Sequence, residues 1–226
     1  MHLRVEYRLG PEQRFLANLD TMHLMERALR RADLPYALSA GFNPHIRLSM
    51  GTVLPVGLWG EREYFDLELN QEMELKDFAV RLNDALPPSV RVDQVVEVTS
   101  HTPSLMKVVN AASYSLVLGI SLLQLDALAQ EFMDRPSLWV KSRGKKKDLD
   151  KDLRSGIYKV ETKEQYQGSI LTIWVAIGEP LNVRYDELLA ALAVSGLEQN
   201  SLLDIYRSGN FIYQDTVFTS PLEKVK

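Results

Sequence analysis

Apolar and polar residues alternate through Leu3-Arg4-Val5-Glu6-Tyr7-Arg8-Leu9. A period of two puts Leu3, Val5, Tyr7 and Leu9 on one side, which predicts a half-buried strand closed by Gly10-Pro11. From Leu19 to Ala32 the period lengthens: Met22, Met25, Ala28, Leu29 and Ala32 share one helical face. Asn18 or Asp20 can cap the N-terminus of that helix, and Pro35 lies beyond its end. A segment from Tyr36 to Ser39 follows, then a loop and the alternating run IRLSM. EYFDLEL alternates again as a strand, LKDFAVRLNDAL is an amphipathic helix closed by Pro87-Pro88, and VRVDQVVEV is a further strand.

Strand, helix, strand, strand, helix, strand is the order of the ferredoxin-like βαββαβ unit, an α+β fold with an antiparallel sheet. The second half repeats it. SYSLVLGIS, SLWVKS, SILTIWVAIG and DIYRSGNFIYQ read as strands, and LLQLDALAQEFMDR and RYDELLAALAVSG as helices, the last stopped by Gly196. The pattern therefore predicts tandem ferredoxin-like domains over residues 1–105 and 106–226, with a basic insertion at about 143–168 between the middle strands of the second. Ser100, Thr102, Pro103 and Ser104 mark the link.

Composition narrows the chemistry. The 226 residues include no Cys, which excludes disulfides, thiolate zinc sites, cysteine-ligated iron-sulfur clusters and a cysteine nucleophile within this chain. The four His show no pair at H-x-x-x-H spacing, so no metal or other cofactor is implied. A net charge of -4 argues against a surface basic all over, although a local basic patch remains open. There is no apolar run of membrane-spanning length and no signal-peptide core near the start, so the expectation is a cytoplasmic protein with no membrane partner.

The string FLANLDTMHLMERALRRADLPYALSAGFNPHIRLSMGTVLPVG, followed by EREYFDLEL, resembles the opening of the bacterial radical SAM-linked protein family. NAASYSLVL, the basic loop with DLDKDLR, and VRYDELLAAL continue the likeness over essentially the whole chain. The resemblance implies a domain of unknown function fused to, or encoded beside, a radical SAM protein, which would be its partner. One departure is Ile46, where the family loop usually has a second Pro after the His. With no Cys, this chain cannot hold a radical SAM cluster, so it would act beside the enzyme that does.

Three features invite a functional reading. In GFNPHIR, Gly41 permits a positive φ and Asn43 is extended before Pro44, while His45 and Arg47 share a face. Imidazole beside guanidinium suits an anionic group, and a plain turn before a strand is the structural alternative. Arg27, Arg30 and Arg31 form a basic cluster in which Arg30 can pair with Glu26, or else an ordinary solvated helix face. Lys145, Lys146 and Lys147 in the RGKKKDLDKDLR loop suit phosphate-backbone contact, or simply keep an exposed hairpin soluble. For acid-base work the candidates are His45, Asp20 and Asp66, although Asp20 equally fits a helix cap and no nucleophile motif accompanies them. Phe15, Phe42, Trp59 and Tyr64 could stack on bases or fill the core, and Asn43 could read a base edge or serve the turn.

The leading expectation is a non-catalytic accessory module that binds tRNA, rRNA or another anionic substrate for a radical SAM partner. Its binding set is Arg27, Arg30, Arg31, Gly41, Asn43, His45, Arg47 and Lys145 to Lys147. The alternatives are an RNA-modifying or RNA-processing enzyme using His45 and a carboxylate, and a protein-interaction subunit of a radical SAM complex.

Overall fold

A computed structural model describes residues 1–144 and 149–223. In chain order the elements are β1 (His2–Leu9), α1 (Asn18–Arg31), β2 (Leu48–Met50), β3 (Trp59–Glu68), α2 (Leu75–Ala85), β4 (Val90–Val98), α3 (Leu105–Val108) and β5 (Ala111–Leu118). They continue with α4 (Leu122–Asp134), β6 (Trp139–Lys141), β7 (Asp150–Asp152), β8 (Ile157–Gln165), β9 (Gly168–Ala176), α5 (Tyr185–Val194), β10 (Leu202–Gln214) and β11 (Val217–Thr219). The fold is mixed α+β, with mostly antiparallel strand pairing. It divides into two units, residues 1–109 with 209–226, and residues 110–208. Sequence pattern placed the division at residue 105 and kept the last strand in the second half. In the structure β10 is shared, its residues 202–208 in the second unit and 209–214 in the first.

In the first unit the strand order is β4-β1-β3-β10, with β2 also pairing with β3 and β11 with β10. Leu3, Val5, Tyr7 and Leu9 are buried together with Met25, Ala28 and Leu29 of α1 and Phe78 and Leu82 of α2, so both helices pack on the face that the alternation assigned to the core. β4 carries a bulge where Gln94 opposes Glu6 but Val92 opposes Tyr7. Asn83 of α2 satisfies the interrupted ladder, donating to the Val92 carbonyl at 3.0 Å and accepting from its N–H at 2.8 Å.

The other face of β1 departs from the expected half-buried strand, because Arg4 and Glu6 are 1% and 7% exposed. Arg4 explains how the charge is tolerated. Its Nε and Nη2 donate to Asp66 at 2.7 and 3.0 Å, and its remaining donors reach the carbonyls of Pro103 at 2.8 Å and Pro221 at 3.3 Å. One guanidinium thus ties β1 to β3, to the segment before α3 and to the turn after β11.

In the second unit the order is β10-β5-β9-β8, and β6 pairs with β7 in a separate two-stranded ribbon. Leu125 and Phe132 of α4, Leu188 and Leu192 of α5, and Leu171, Ile173 and Val175 of β9 form buried parts of this unit. Here the expected insertion is corrected. Residues 157–165, assigned from sequence to the loop, are the strand β8, in register with β9 from Ile157↔Val175 to Gln165↔Gly168. The β6 segment, read as a middle strand, instead belongs to the ribbon, because Trp139 to Lys141 pair with Asp150 to Asp152. A hairpin turn with Gln167 and Gly168 at φ 64° and 148° joins β8 to β9, and only a left-handed backbone closes it.

Candidate functional site

The GFNPHIR segment folds as the tip of a β-hairpin. Leu38 and Ile46 form an antiparallel bridge, Ser39 N–H donates to the His45 carbonyl at 2.8 Å, and Arg47 N–H donates to the Ala37 carbonyl at 2.9 Å. Ser39 Oγ also accepts from the His45 N–H at 3.0 Å. Gly41 takes φ 136°, a conformation that L side chains rarely adopt, and no atom lies within 4 Å of where a Cβ would stand. The glycine therefore serves backbone geometry rather than space. Residues 40–45 are exposed without interruption, and Phe42 is 106% exposed. Ile46 alone turns inward, at 5% exposure, leaving His45 and Arg47 on the outer face as their spacing requires.

The basic residues of this unit are largely occupied. Arg47 Nη1 donates to Glu68 Oε2 at 2.7 Å, and this hydrogen bond, followed by the charge of Arg47, holds the Glu68 carboxyl below its usual range. Arg30 lies 3.8 Å from Glu26, the pairing its spacing implies. Arg31 donates to the Ala85 carbonyl at 2.5 Å and so caps α2. The converse contact comes from Arg81 of α2, which donates to the carbonyls of Ala32 and Asp33 just beyond α1. Each helix thus closes the C-terminal end of the other, where a cation meets the negative end of the dipole. Arg81→Ala is expected to cost about 1 kcal/mol, read as a lower urea midpoint with an unchanged slope. Arg27 and the His45 imidazole have no hydrogen-bond or ion-pair partner among the described residues. Lys145, Lys146 and Lys147 lie outside the described residues.

The acid-base candidates have structural duties. Asp20 Oδ2 accepts from the Ala17 N–H at 3.2 Å and so caps α1, as its position implied. Asp66 is the partner of Arg4. Among the aromatics, Phe15 and Phe42 are 77% and 106% exposed, whereas Trp59 and Tyr64 are 8% and 3% exposed.

Sequence reasoning missed two charged sites. In the second unit Glu187 is fully buried, accepting from Lys151 Nζ at 2.6 Å, from the Arg143 N–H at 2.9 Å and from the Arg184 N–H at 3.3 Å. The segment around Lys151 and the start of α5 therefore meet through Lys151 and Glu187. Asp152 of the same segment accepts from the backbone N–H groups of Leu138 and Arg154, so the acidic half of the basic loop is a scaffold. In the first unit a cleft of about 440 Å³ opens on the sheet face turned away from α1 and α2, lined by Glu6, Arg8, Glu61 and Arg62 among others. Tyr64 donates its hydroxyl to Glu6 Oε2 there at 2.5 Å. Burial first, then that hydrogen bond, keeps the Tyr64 hydroxyl protonated far above its usual range. Burial likewise raises the Glu61 carboxyl, against the opposing charges of Arg8 and Arg62. Charged residues at alternate strand positions look solvated in a sequence, which hid the cleft, and Glu187 sits in the first turn of α5, where an acidic residue ordinarily reads as a solvated complement to the helix dipole.

A family described as "Uncharacterized protein conserved in bacteria (DUF2344)" matches residues 2–185. The chain belongs to that family. Its description names no radical SAM protein. No curated protein matches the sequence. Among solved structures, a "Cbf5-Nop10-Gar1 Complex" is similar at 11% identity and a TM-score of 0.44, covering 94% of this chain and 48% of that one. The chain thus spans about half the length of that relative. An "Unknown Protein from Galdieria sulphuraria" is similar at 16% identity and a TM-score of 0.23, covering 92% of this chain and 96% of the other. With TM-scores below 0.5, these likenesses fix neither fold nor function. No described helix is long and apolar enough to cross a membrane.

Proposed function

We propose that this family member is a non-catalytic, cytoplasmic accessory module that docks on a radical SAM partner protein through the 37–47 hairpin. The observation that carries this reading is Phe42, fully exposed at the tip of a hairpin whose base is fixed by backbone hydrogen bonds. A large apolar side chain held out on an ordered turn has no role in the core of its own unit, and burial against a partner is where it gains free energy. Arg47, beside the tip, is neutralised by Glu68, so the element favours an apolar pocket over a polyanion. The strand orders β4-β1-β3 with β2 on β3, and β10-β5-β9-β8, support reading each unit as a ferredoxin-like βαββαβ domain.

The test is co-purification of a candidate radical SAM protein from the same genome with wild type and with Phe42→Ser. The substitution is expected to weaken capture about tenfold or more while leaving the melting temperature unchanged, since the side chain is exposed. Equal capture by both would sink the docking reading.

A second reading, RNA binding, is supported by Arg27 and His45, which keep exposed side chains without acidic partners. For that reading, the double change Arg27→Ala and His45→Ala should weaken tRNA or rRNA binding and flatten its dependence on salt. Identical salt slopes for the variant and wild type would exclude these two residues from an RNA contact.

A further inference from the structure

The cleft on the first unit holds opposite charges that do not pair with one another. Three of its lining carboxylates, Glu6, Glu61 and Glu223, make no ion pair within 4 Å among the described residues, and neither do Arg8 and Arg62 in the same cleft. The fold holds them apart. Arg8 is stacked over the Trp59 ring with its guanidinium carbon 5.3 Å from the ring centre, and Asp93 is engaged by Arg91 at 3.7 Å. The bulge in β4 inserts its extra residue beside Glu6 and so sets the wall of the cleft. Its floor is Glu6, only 7% exposed, with Oε2 satisfied by Tyr64 while Oε1 accepts no hydrogen bond among the described residues. That oxygen stays open to the cleft rather than sealed in the core, and a cationic donor is its strongest complement. The two guanidinium groups, with no carboxylate within 4 Å among the described residues, call for the reverse, an anionic oxygen acceptor.

We infer that this cleft binds a small zwitterion, whose ammonium group donates to Glu6 Oε1 and whose carboxylate is received by Arg8 and Arg62. A simple cation would face the two arginines, and a simple anion would face the carboxylates, so neither satisfies both ends. The volume of about 440 Å³ is of the size that accommodates a small ligand, with room for a molecule on the scale of an amino acid. This site is separate from the hairpin and does not depend on the docking reading.

The experiment is an NMR titration of the full chain, isotopically labelled, with glycine, γ-aminobutyrate and L-arginine, set against butylamine and butyrate as counterparts carrying one charge each. The amides of Glu61, Arg62, Gln94 and Leu222 report on the cleft. At least one zwitterion is expected to shift them with an affinity about tenfold or more above either counterpart, and Glu6→Gln should remove that advantage. Arg62→Gln alters an exposed side chain at the rim and should do the same with the fold intact, so the result stands even where Glu6→Gln disturbs folding. The inference is overturned if no zwitterion shifts these amides up to its solubility limit, if butylamine or butyrate binds as tightly, or if Arg62→Gln leaves the affinity unchanged.

Discussion

Asp66→Ala is expected to lower the stability of the first unit by about 3 to 5 kcal/mol, the range for breaking a buried ion pair by removing one partner. Arg4 is 1% exposed, and without Asp66 its charge would keep only two carbonyl acceptors. Arg4→Met should cost less, because the carboxylate left behind is 24% exposed and can draw on water. The double variant Arg4→Met, Asp66→Leu should recover much of the loss, since apolar replacement of both partners removes the stranded charge. Urea unfolding gives the magnitudes, and hydrogen exchange at β1 amides assigns them to this unit. A loss below about 1 kcal/mol for Asp66→Ala would mean that water already reaches Arg4 in the folded state.

Glu187→Ala is expected to be severe in the second unit too, about 3 kcal/mol, because it strands two backbone donors at a fully buried position and leaves the Lys151 ammonium with the Asn182 carbonyl but no carboxylate. The effect should have a location as well as a size. Glu187 is the link from α5 to the β6–β7 ribbon through Arg143 and Lys151, so amide exchange at Ser142 and in β7 should accelerate more than exchange in β9. Glu187→Gln retains an acceptor for the Arg143 N–H and is expected to cost less than half as much. Uniform acceleration across the unit would argue against the anchoring role.

Features made by short-range interactions are legible in the sequence, and those made by long-range ones are not. α1 was legible because Met25, Ala28 and Leu29 recur within one element, and the cap by Asp20 lies three residues from its partner. Gly41 and the Asn43-Pro44 step announced a sharp turn, and the hairpin has one. β8 was missed because its outward positions, Lys159, Glu161 and Lys163, carry charges that read as loop, while its inward positions show only partial burial. The occupation of Arg47 by Glu68 requires knowing that the hairpin leg lies beside β3, a tertiary fact. Arg4 is the extreme instance: one of its acceptors is 217 residues away, beyond the reach of any local pattern. The cleft was illegible for the same reason, since β1, β3, β4 and the turn after β11 each contribute part of its wall.

The return of residues 209–226 to the first unit has a consequence for biosynthesis. Translation delivers β1 to β4 early, yet the edge of β3 that β10 will cover stays unpaired until almost a hundred further residues have left the ribosome. The nascent protein must therefore carry an open strand edge, and an Arg4 lacking its Pro221 acceptor, through the whole synthesis of the second unit. Excising residues 1–109 for study would freeze that immature stage, whereas a circular permutant that joins 209–226 directly ahead of β1 would deliver every strand of the unit in one uninterrupted stretch.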